Sequence, residues 1–482
     1  MLLKKNKSVA KNAIYQTFYS VLATITPLIT IPIVSREVGA LNLGIFSYTL
    51  TVSHYFTVFA MLGIVNYGTR SIAEVIESKE SLTKTFWSIY AIQFIMAVFC
   101  NIAYFIYLFI FEYNNSNIHI FLLQSFWILG TLFDINWFFF GLEDFQVIVK
   151  RNILIKLGTI VSIFLFVNRD NNPLQTYTLI MAGGSLLSNI IILPLLKDKL
   201  FWYYPKFSEI KIHFIPVLIL FLPIIAGMFF GSVDKIMLGN MSEYDELGYY
   251  YNADRVIYIP IGIINGLSSV LFPHISSLVA NNKRKECFIF ISKSYDIVIW
   301  LGILLSFGIA GCAKEFVPLF FGSGFERCVD LIYVLVPVLI INVICIFYRM
   351  QYLVPFHYDK LYSKALIIGT IINIFLNFLL IPSYKAIGAA VATLIAQVGL
   401  MIVQFKEHKG IELSKWFIIF IKYIVIGFIM LVCMRCVSTL SCNNMINLLI
   451  EIIIGGIIYL LLSLCYWKVT NQLDDRIAML KR

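Results

Sequence analysis

Charge is what this chain of 482 residues has least of. Lysine, arginine, aspartate and glutamate make up 13% of it, where an ordinary soluble protein carries about 25%. A water-soluble fold is excluded. No Gly-Lys dipeptide occurs, so the phosphate-cradling loop of ATPases is missing, and the six histidines form neither a His-Glu-x-x-His motif nor a close cluster. ATP hydrolysis and zinc chemistry are not expected, no cofactor is implied, and the chain reads as a non-enzyme. Any driving force is then an ion gradient, the membrane potential or the substrate's own gradient. The segments between apolar runs are short, as at Glu112 to Asn117, and none has the size of a catalytic extramembrane domain. The nine cysteines, among them Cys100, Cys312, Cys345 and Cys465, lie mostly inside apolar runs, where a thiol behaves as a small hydrophobe. No disulfide framework is expected. Cys433-Met434-Arg435-Cys436 has the CxxC spelling but lacks both a βαβ context and a second pair to complete a metal site.

In place of charge the chain has hydrocarbon: 60% hydrophobic residues and a mean hydropathy of +0.86. A bilayer core about 30 Å thick takes roughly 20 apolar residues per helix. Apolar runs fall at 12–34, 44–68, 84–111, 118–140, 151–167, 174–196, 213–233, 247–273, 292–312, 329–354, 362–381, 386–405, 415–436 and 446–467. They predict an all-α polytopic membrane protein of about 14 transmembrane helices with no separate soluble domain.

The basic residues assign the sides. One set of connections carries Lys4, Lys5, Lys7 and Lys11; Arg70, Lys79 and Lys84; Lys150 and Arg151; Lys197, Lys199, Lys206 and Lys211; Lys283, Arg284 and Lys285; Lys360 and Lys364; Lys406, Lys409 and Lys415; and Lys468, Arg476, Lys481 and Arg482. The other set holds Arg36, Arg169, Lys235, Lys314, Arg327 and Lys385, mostly single and often beside an acid. Lysine and arginine are retained on the cytoplasmic side, so both termini are expected there, in the cytoplasmic (inner) membrane. The same placement explains the formal net charge of +10 without nucleic acid. The basic N-terminus resembles a signal peptide, but the apolar stretch runs through Val34 with no small-residue cleavage site. An uncleaved first span is expected.

A weak internal repeat sets Leu43-Gly44-Ile45-Phe46 against Leu247-Gly248-Tyr249-Tyr250, and the same offset sets Arg70 against His274. Upstream, Ser35-Arg36 and Asp234-Lys235 both end proline-bearing stretches, with Pro27 and Pro32 in one and Pro216 and Pro223 in the other. These matches suggest two six-helix halves, 1–205 and 206–410, followed by two further helices and a cytoplasmic tail in 411–482. Paired repeats across a cleft suit alternating access.

Charges inside a bilayer are costly and normally face protein or water, so they are the candidates for function. Arg255 lies well into the eighth span, with Tyr251 and Asn252 one turn back on the same face; the alternative is an ion pair with Asp254 or a neighbouring helix. Arg349 shares a stripe with Asn342, Cys345 and Tyr352, and snorkelling to the inner face is its alternative. Arg70 follows Asn66-Tyr67-Gly68-Thr69 at an inner span end, where positive-inside retention is the plainer account. Ser47, Thr51 and His54, and likewise Asn12, Gln16 and Ser20, form polar stripes that either line a cavity or join helices. Asp134, between Trp127 and Trp137, is a candidate proton or cation site. Lys156 and Lys422 are close enough to inner helix ends for snorkelling. Aromatic clusters at Tyr249 to Tyr251, Tyr258 and Trp137 to Phe140 could stack sugars, but interfacial belts are the commoner reason for them.

From about residue 8 to about 405 the chain resembles the polysaccharide transporter family of Wzx-type flippases, in the multidrug/oligosaccharidyl-lipid/polysaccharide exporter superfamily. The resemblance rests on Asn12 to Val34 with Ser35-Arg36-Glu37-Val38-Gly39; Leu43-Gly44-Ile45-Phe46; Asn66-Tyr67-Gly68-Thr69-Arg70; Trp137-Phe138-Phe139-Phe140-Gly141-Leu142-Glu143; Val233-Asp234-Lys235-Ile236-Met237-Leu238-Gly239; and Leu247-Gly248-Tyr249-Tyr250. It implies translocation of an undecaprenyl-pyrophosphate-linked oligosaccharide repeat unit to the outer leaflet, for O-antigen, capsule or exopolysaccharide assembly. Alternating access through a cationic cavity is implied too, with membrane lipid, a polysaccharide polymerase and chain-length proteins as partners and H+ or Na+ as coupling ion. Arginine's forked donor set suits a diphosphate, which makes Arg70, Arg255 and Arg349 the candidate contacts, with Asn252, His54 and Gln16 as further cavity residues. The rivals are a lipid II flippase and a cation-coupled multidrug antiporter of the same superfamily. An antiporter would favour inward carboxylates, and the reading finds few, chiefly Asp134 and Asp296. A membrane glycosyltransferase or polymerase lacks the loop it would need.

Overall fold

The structure, a computed structural model, describes residues 2–438 and 444–470; side chains are described from Thr26 onward, Arg169 excepted. Gln16, Asn12 and Ser20 thus lie outside the described side chains. Fourteen α-helices follow one another with no strand among the described residues: α1 Leu2–Met61, α2 Ile64–Glu74, α3 Lys79–Tyr107, α4 Ile118–Gly130, α5 Asn136–Gly141, α6 Phe145–Phe166, α7 Pro173–Ile191, α8 Phe207–Met241, α9 Tyr244–Ala280, α10 Arg284–Phe321, α11 Arg327–Tyr348, α12 Asp359–Gln404, α13 Leu413–Val437 and α14 Asn444–Val469. Inside hydrocarbon no water serves the backbone, so a chain this apolar closes its N–H and C=O groups within helices. Ten helical segments among the described residues are long and apolar enough to cross a membrane. Large side chains such as Phe105, Phe109, Phe375, Phe378 and Leu461 stay exposed, as lipid-facing positions require.

Helix ends and predicted span ends correspond in instructive ways. The expected gap after Val34 is closed by helix: α1 is two helical stretches meeting at Gly39, whose φ of 77° and ψ of 167° leave the helical region. Glycine adopts that conformation without steric cost. Likewise α12 is two stretches meeting at Lys385, with φ of 51°. Conversely, the expected continuous run 118–140 is broken between α4 and α5. Side chains take up the carbonyls that the break releases: Asn189 Nδ2 donates to Gly130 O (3.0 Å), Tyr90 Oη to Leu132 O (2.9 Å), and Gln93 Nε2 to both Thr131 O (2.7 Å) and Asp134 O (2.8 Å). Irregular backbone at membrane depth is tolerated only where protein supplies such partners.

Two compact units divide the chain, 1–248 and 249–482. In the first, α1 packs against α3, α4, α6, α7 and α8, and a core of Ile64, Ile72, Phe86, Ile89, Trp137, Phe138 and Phe139 gathers α2, α3 and α5. Trp137 donates from Nε1 to Gln93 Oε1 at 2.8 Å, so the glutamine holds both the break and the indole. Gly68 lies under the Trp137 ring, where a Cβ would approach Cδ2 to 2.9 Å. Two of the motifs quoted above are therefore a single packing contact. The repeated Leu-Gly pairs have a comparable basis: a Cβ on Gly44 would strike the Tyr244 carbonyl, and one on Gly248 the Ala40 carbonyl. Backbones approach this closely only where both positions lack side chains.

In the second unit α10 packs against α11, α13 and α14, and α11 against α12. Tyr295 and Trp416 stack there with centroids 4.0 Å apart, beside Phe347.

Outside the membrane-spanning stretches, α8 opens with the Glu209 side chain accepting the Lys206 backbone N–H at 2.7 Å. The Lys206 backbone N–H, with help from the Tyr203 hydroxyl, holds the Glu209 carboxyl below its ordinary pKa.

Candidate functional site

Arg255 sits on α9, the helix that carries the chain into the second unit. Its guanidinium carbon lies 4.4 Å from the centroid of the Tyr251 ring, one turn back on the same face. Asn252, beside Tyr251, is fully buried. The expected cluster of arginine, tyrosine and asparagine therefore forms, because residues three and four apart stack on one helical face. A guanidinium stacked on an aromatic face is held through its plane, which leaves the geometry of its N–H edge unchanged.

Arg349 begins a short π-helical turn, Arg349–Leu353, between α11 and α12. Its Nη1 donates to the Tyr362 hydroxyl at 3.2 Å, and its guanidinium carbon lies 5.3 Å from that ring's centroid. Such turns are frequent at functional positions because they displace one side chain from the regular helical ladder. Cys345 and Tyr352, placed on the same stripe, are buried, and the Tyr352 hydroxyl donates to Lys409 O at 3.1 Å. Gln351 is fully buried and donates from Nε2 to Ser268 O at 2.7 Å, tying the turn to α9.

The candidates of the first unit are placed differently. Arg70 is on the exposed end of α2, its side chain 64% exposed, 3.7 Å from Glu74 and 5.9 Å from the Tyr67 ring centroid. His54 packs edge-on against Trp127, centroids 5.3 Å apart. Ser47 is buried, and Thr51 donates to the Ser47 carbonyl, as serine and threonine in apolar helices commonly do. Asp134 occupies the break after α4, where Oδ1 accepts the Asn136 backbone N–H at 3.0 Å and its Nδ2 at 2.7 Å. That is the geometry of an Asx turn.

Sequence reasoning missed several polar groups that the fold brings inside. Tyr67 and His213 join at 2.7 Å across α2 and α8, and Tyr48 donates to Asn240 at 3.0 Å. Asp296, which the sequence does single out as an inward carboxylate, accepts from the Tyr423 hydroxyl at 2.8 Å, linking α10 to α13. Glu315, Arg435 and Glu451 also meet in the second unit. No metal-ligand group of three or more His, Cys, Asp or Glu side chains occurs among the described residues.

Helices of this length and apolarity, broken where side chains serve the freed carbonyls, define a multi-pass membrane protein. Its fold is that of a known transporter class: the inward closed structure of the lipid II flippase MurJ superposes with a TM-score of 0.75, covering 96% of this chain and 99% of MurJ at 17% identity. The chain belongs to the family described as polysaccharide biosynthesis protein, which matches residues 9–279. Among its relatives, a protein of Escherichia coli K12 named for O-antigen transport is 26% identical over 392 residues, covering 80% of this chain and 93% of the relative. The capsular polysaccharide biosynthesis protein CapF of Staphylococcus aureus is 24% identical over 416 residues, covering 83% and 99%.

Proposed function

We propose that the protein is a flippase that moves undecaprenyl-pyrophosphate-linked oligosaccharide repeat units from the cytoplasmic to the outer leaflet by alternating access, for O-antigen, capsule or exopolysaccharide assembly. The observation that carries this reading is the near full-length similarity to proteins named for O-antigen transport and capsule synthesis, on a flippase-like fold. Two arginines half-buried in apolar helices and resting on tyrosine rings supply fixed cations of the planar, forked type that suits a desolvated diphosphate. In this reading both termini are cytoplasmic and the membrane is crossed fourteen times. That count follows if the bent helices α1 and α12 are each divided at their breaks and α4 with α5, and α6, are each taken as a span. Residues 1–205 and 206–410 are then the repeat halves, with 411–482 an appended pair.

Deleting the protein is expected to leave lipid-linked repeat units on the inner leaflet and to abolish surface polysaccharide. Normal surface polysaccharide in a strain without a second flippase would rule the role out. A second reading, lipid II as cargo, is favoured by the coverage of MurJ, which reaches almost the whole chain. Deletion would then arrest cell-wall synthesis and spare surface polysaccharide.

A further inference from the structure

Apart from the arginines above, a charged cluster lies where α10, α13 and α14 meet. Arg435 Nη1 is 3.1 Å from Glu315 Oε2 and 3.9 Å from Glu451 Oε1. The Glu315 side chain is 7% exposed and that of Glu451 is 0% exposed, while Arg435 keeps an open edge at 27%. The arginine is fixed further by Nη2, which donates to Ala310 O at 3.2 Å and to the Tyr333 hydroxyl at 2.5 Å.

The charges do not balance. Two carboxylates share one guanidinium, and among the described residues Arg435 is the one cation within ion-pair distance of either. The other titratable group beside Glu451 is Cys312 of α10, and Tyr333 of α11 lies against Arg435, both neutral in their ordinary state; Lys314, the neighbour of Glu315, is exposed. Among the described residues, neither oxygen of Glu451 accepts a hydrogen bond from a permanent donor. Glu315 and Glu451 adjoin one another, so a hydrogen bond forms between them once one carries a proton. The remaining surroundings are hydrocarbon: a cavity of about 390 Å³ next to the cluster is lined by Ala313, Phe316, Ile332, Met434 and Ile452, among others. In such surroundings two carboxylates sharing one guanidinium repel each other, which disfavours ionising both.

We propose that Glu315, Arg435 and Glu451 form a proton-binding site, in which the two carboxyl groups hold one proton between them at neutral pH and Arg435 balances the charge that remains. Aspartic dyads show the same logic of two acids and one proton. The site joins α10 to both helices of the C-terminal pair, so its proton occupancy governs how strongly α14 is held there.

Infrared spectroscopy of the full-length protein in lipid nanodiscs tests the site directly. The wild type should show the carbonyl stretch of a protonated carboxylic acid at neutral pH, shifted in D2O and lost on strong alkalinisation. Glu451→Gln and Glu315→Gln each leave one carboxylate against one arginine, so either change should remove that band. Arg435→Gln leaves two buried acids with no cation, and the band should roughly double. A wild-type spectrum without the band overturns the proposal whichever variants fold, and so does a band that persists unchanged in both glutamine variants. Monodispersity of each purified variant identifies any that lose structure, and either glutamine variant alone decides the outcome.

Discussion

Arg255→Ala is the substitution that best separates binding from architecture. The guanidinium rests 4.4 Å from the Tyr251 ring centroid, a contact that contributes about 0.5–2 kcal/mol depending on desolvation. Its loss should be tolerable to a large helical protein, so membrane abundance should fall little. A pyrophosphate held through the forked edge gains about 1.5–3 kcal/mol for each charge-assisted bond. Two such bonds amount to roughly 3–6 kcal/mol, and at about 1.4 kcal/mol per factor of ten the affinity should fall at least roughly a hundredfold. Quantitative immunoblotting of membranes beside a surface-polysaccharide assay reads both quantities. The expected result is near-normal abundance with transport lost, and Arg255→Lys restoring only part, because a point charge loses the second bond. A structural pair with Asp254 would behave differently: the alanine variant would lose folded protein, and Asp254→Ala with Arg255→Ala would recover abundance and activity together. Full transport by well-expressed Arg255→Ala refutes the binding role.

Cysteines placed at Asn115 and Asp245 should react with an impermeant reagent from outside the cell, as the alternation of basic residues predicts; reaction only from the cytoplasmic side would reverse the topology. Gly68→Ala should destabilise the first unit by about 1–3 kcal/mol through overlap with the Trp137 ring, read as a lower thermal unfolding temperature of the purified protein. Trp137→Phe removes the donor from buried Gln93 and should cost about 1–3 kcal/mol in the same assay. The two changes share one contact, so the double variant should be less unstable than their sum, and strict additivity would show that the contact does not form.

Much of this protein was decided by its sequence, because the bilayer is an exacting solvent. A run such as 446–467 cannot dissolve in water or leave its backbone unpaired in lipid, so composition alone implies helix and membrane, and α14 at Asn444–Val469 follows. The Arg255 cluster was legible for a related reason, since helical periodicity places Tyr251 beneath Arg255 without help from the rest of the chain. Tertiary structure decided what spacing along one helix cannot express. Asp134 reads as a candidate ion site because an acid in an apolar run is expensive; the break after Gly130 adds that its side chain closes a turn whose carbonyls are served by α3 and α7. The pairing of Gly68 with Trp137 needed two distant segments in register. Arg435 stood unremarked inside a CxxC spelling, and Glu315 passed as an acid beside a lysine. They lie 120 residues apart, and each charge near a span end is individually compatible with snorkelling. Only the packing of α10, α13 and α14 closes off water around them and turns three ordinary residues into one buried, unbalanced cluster.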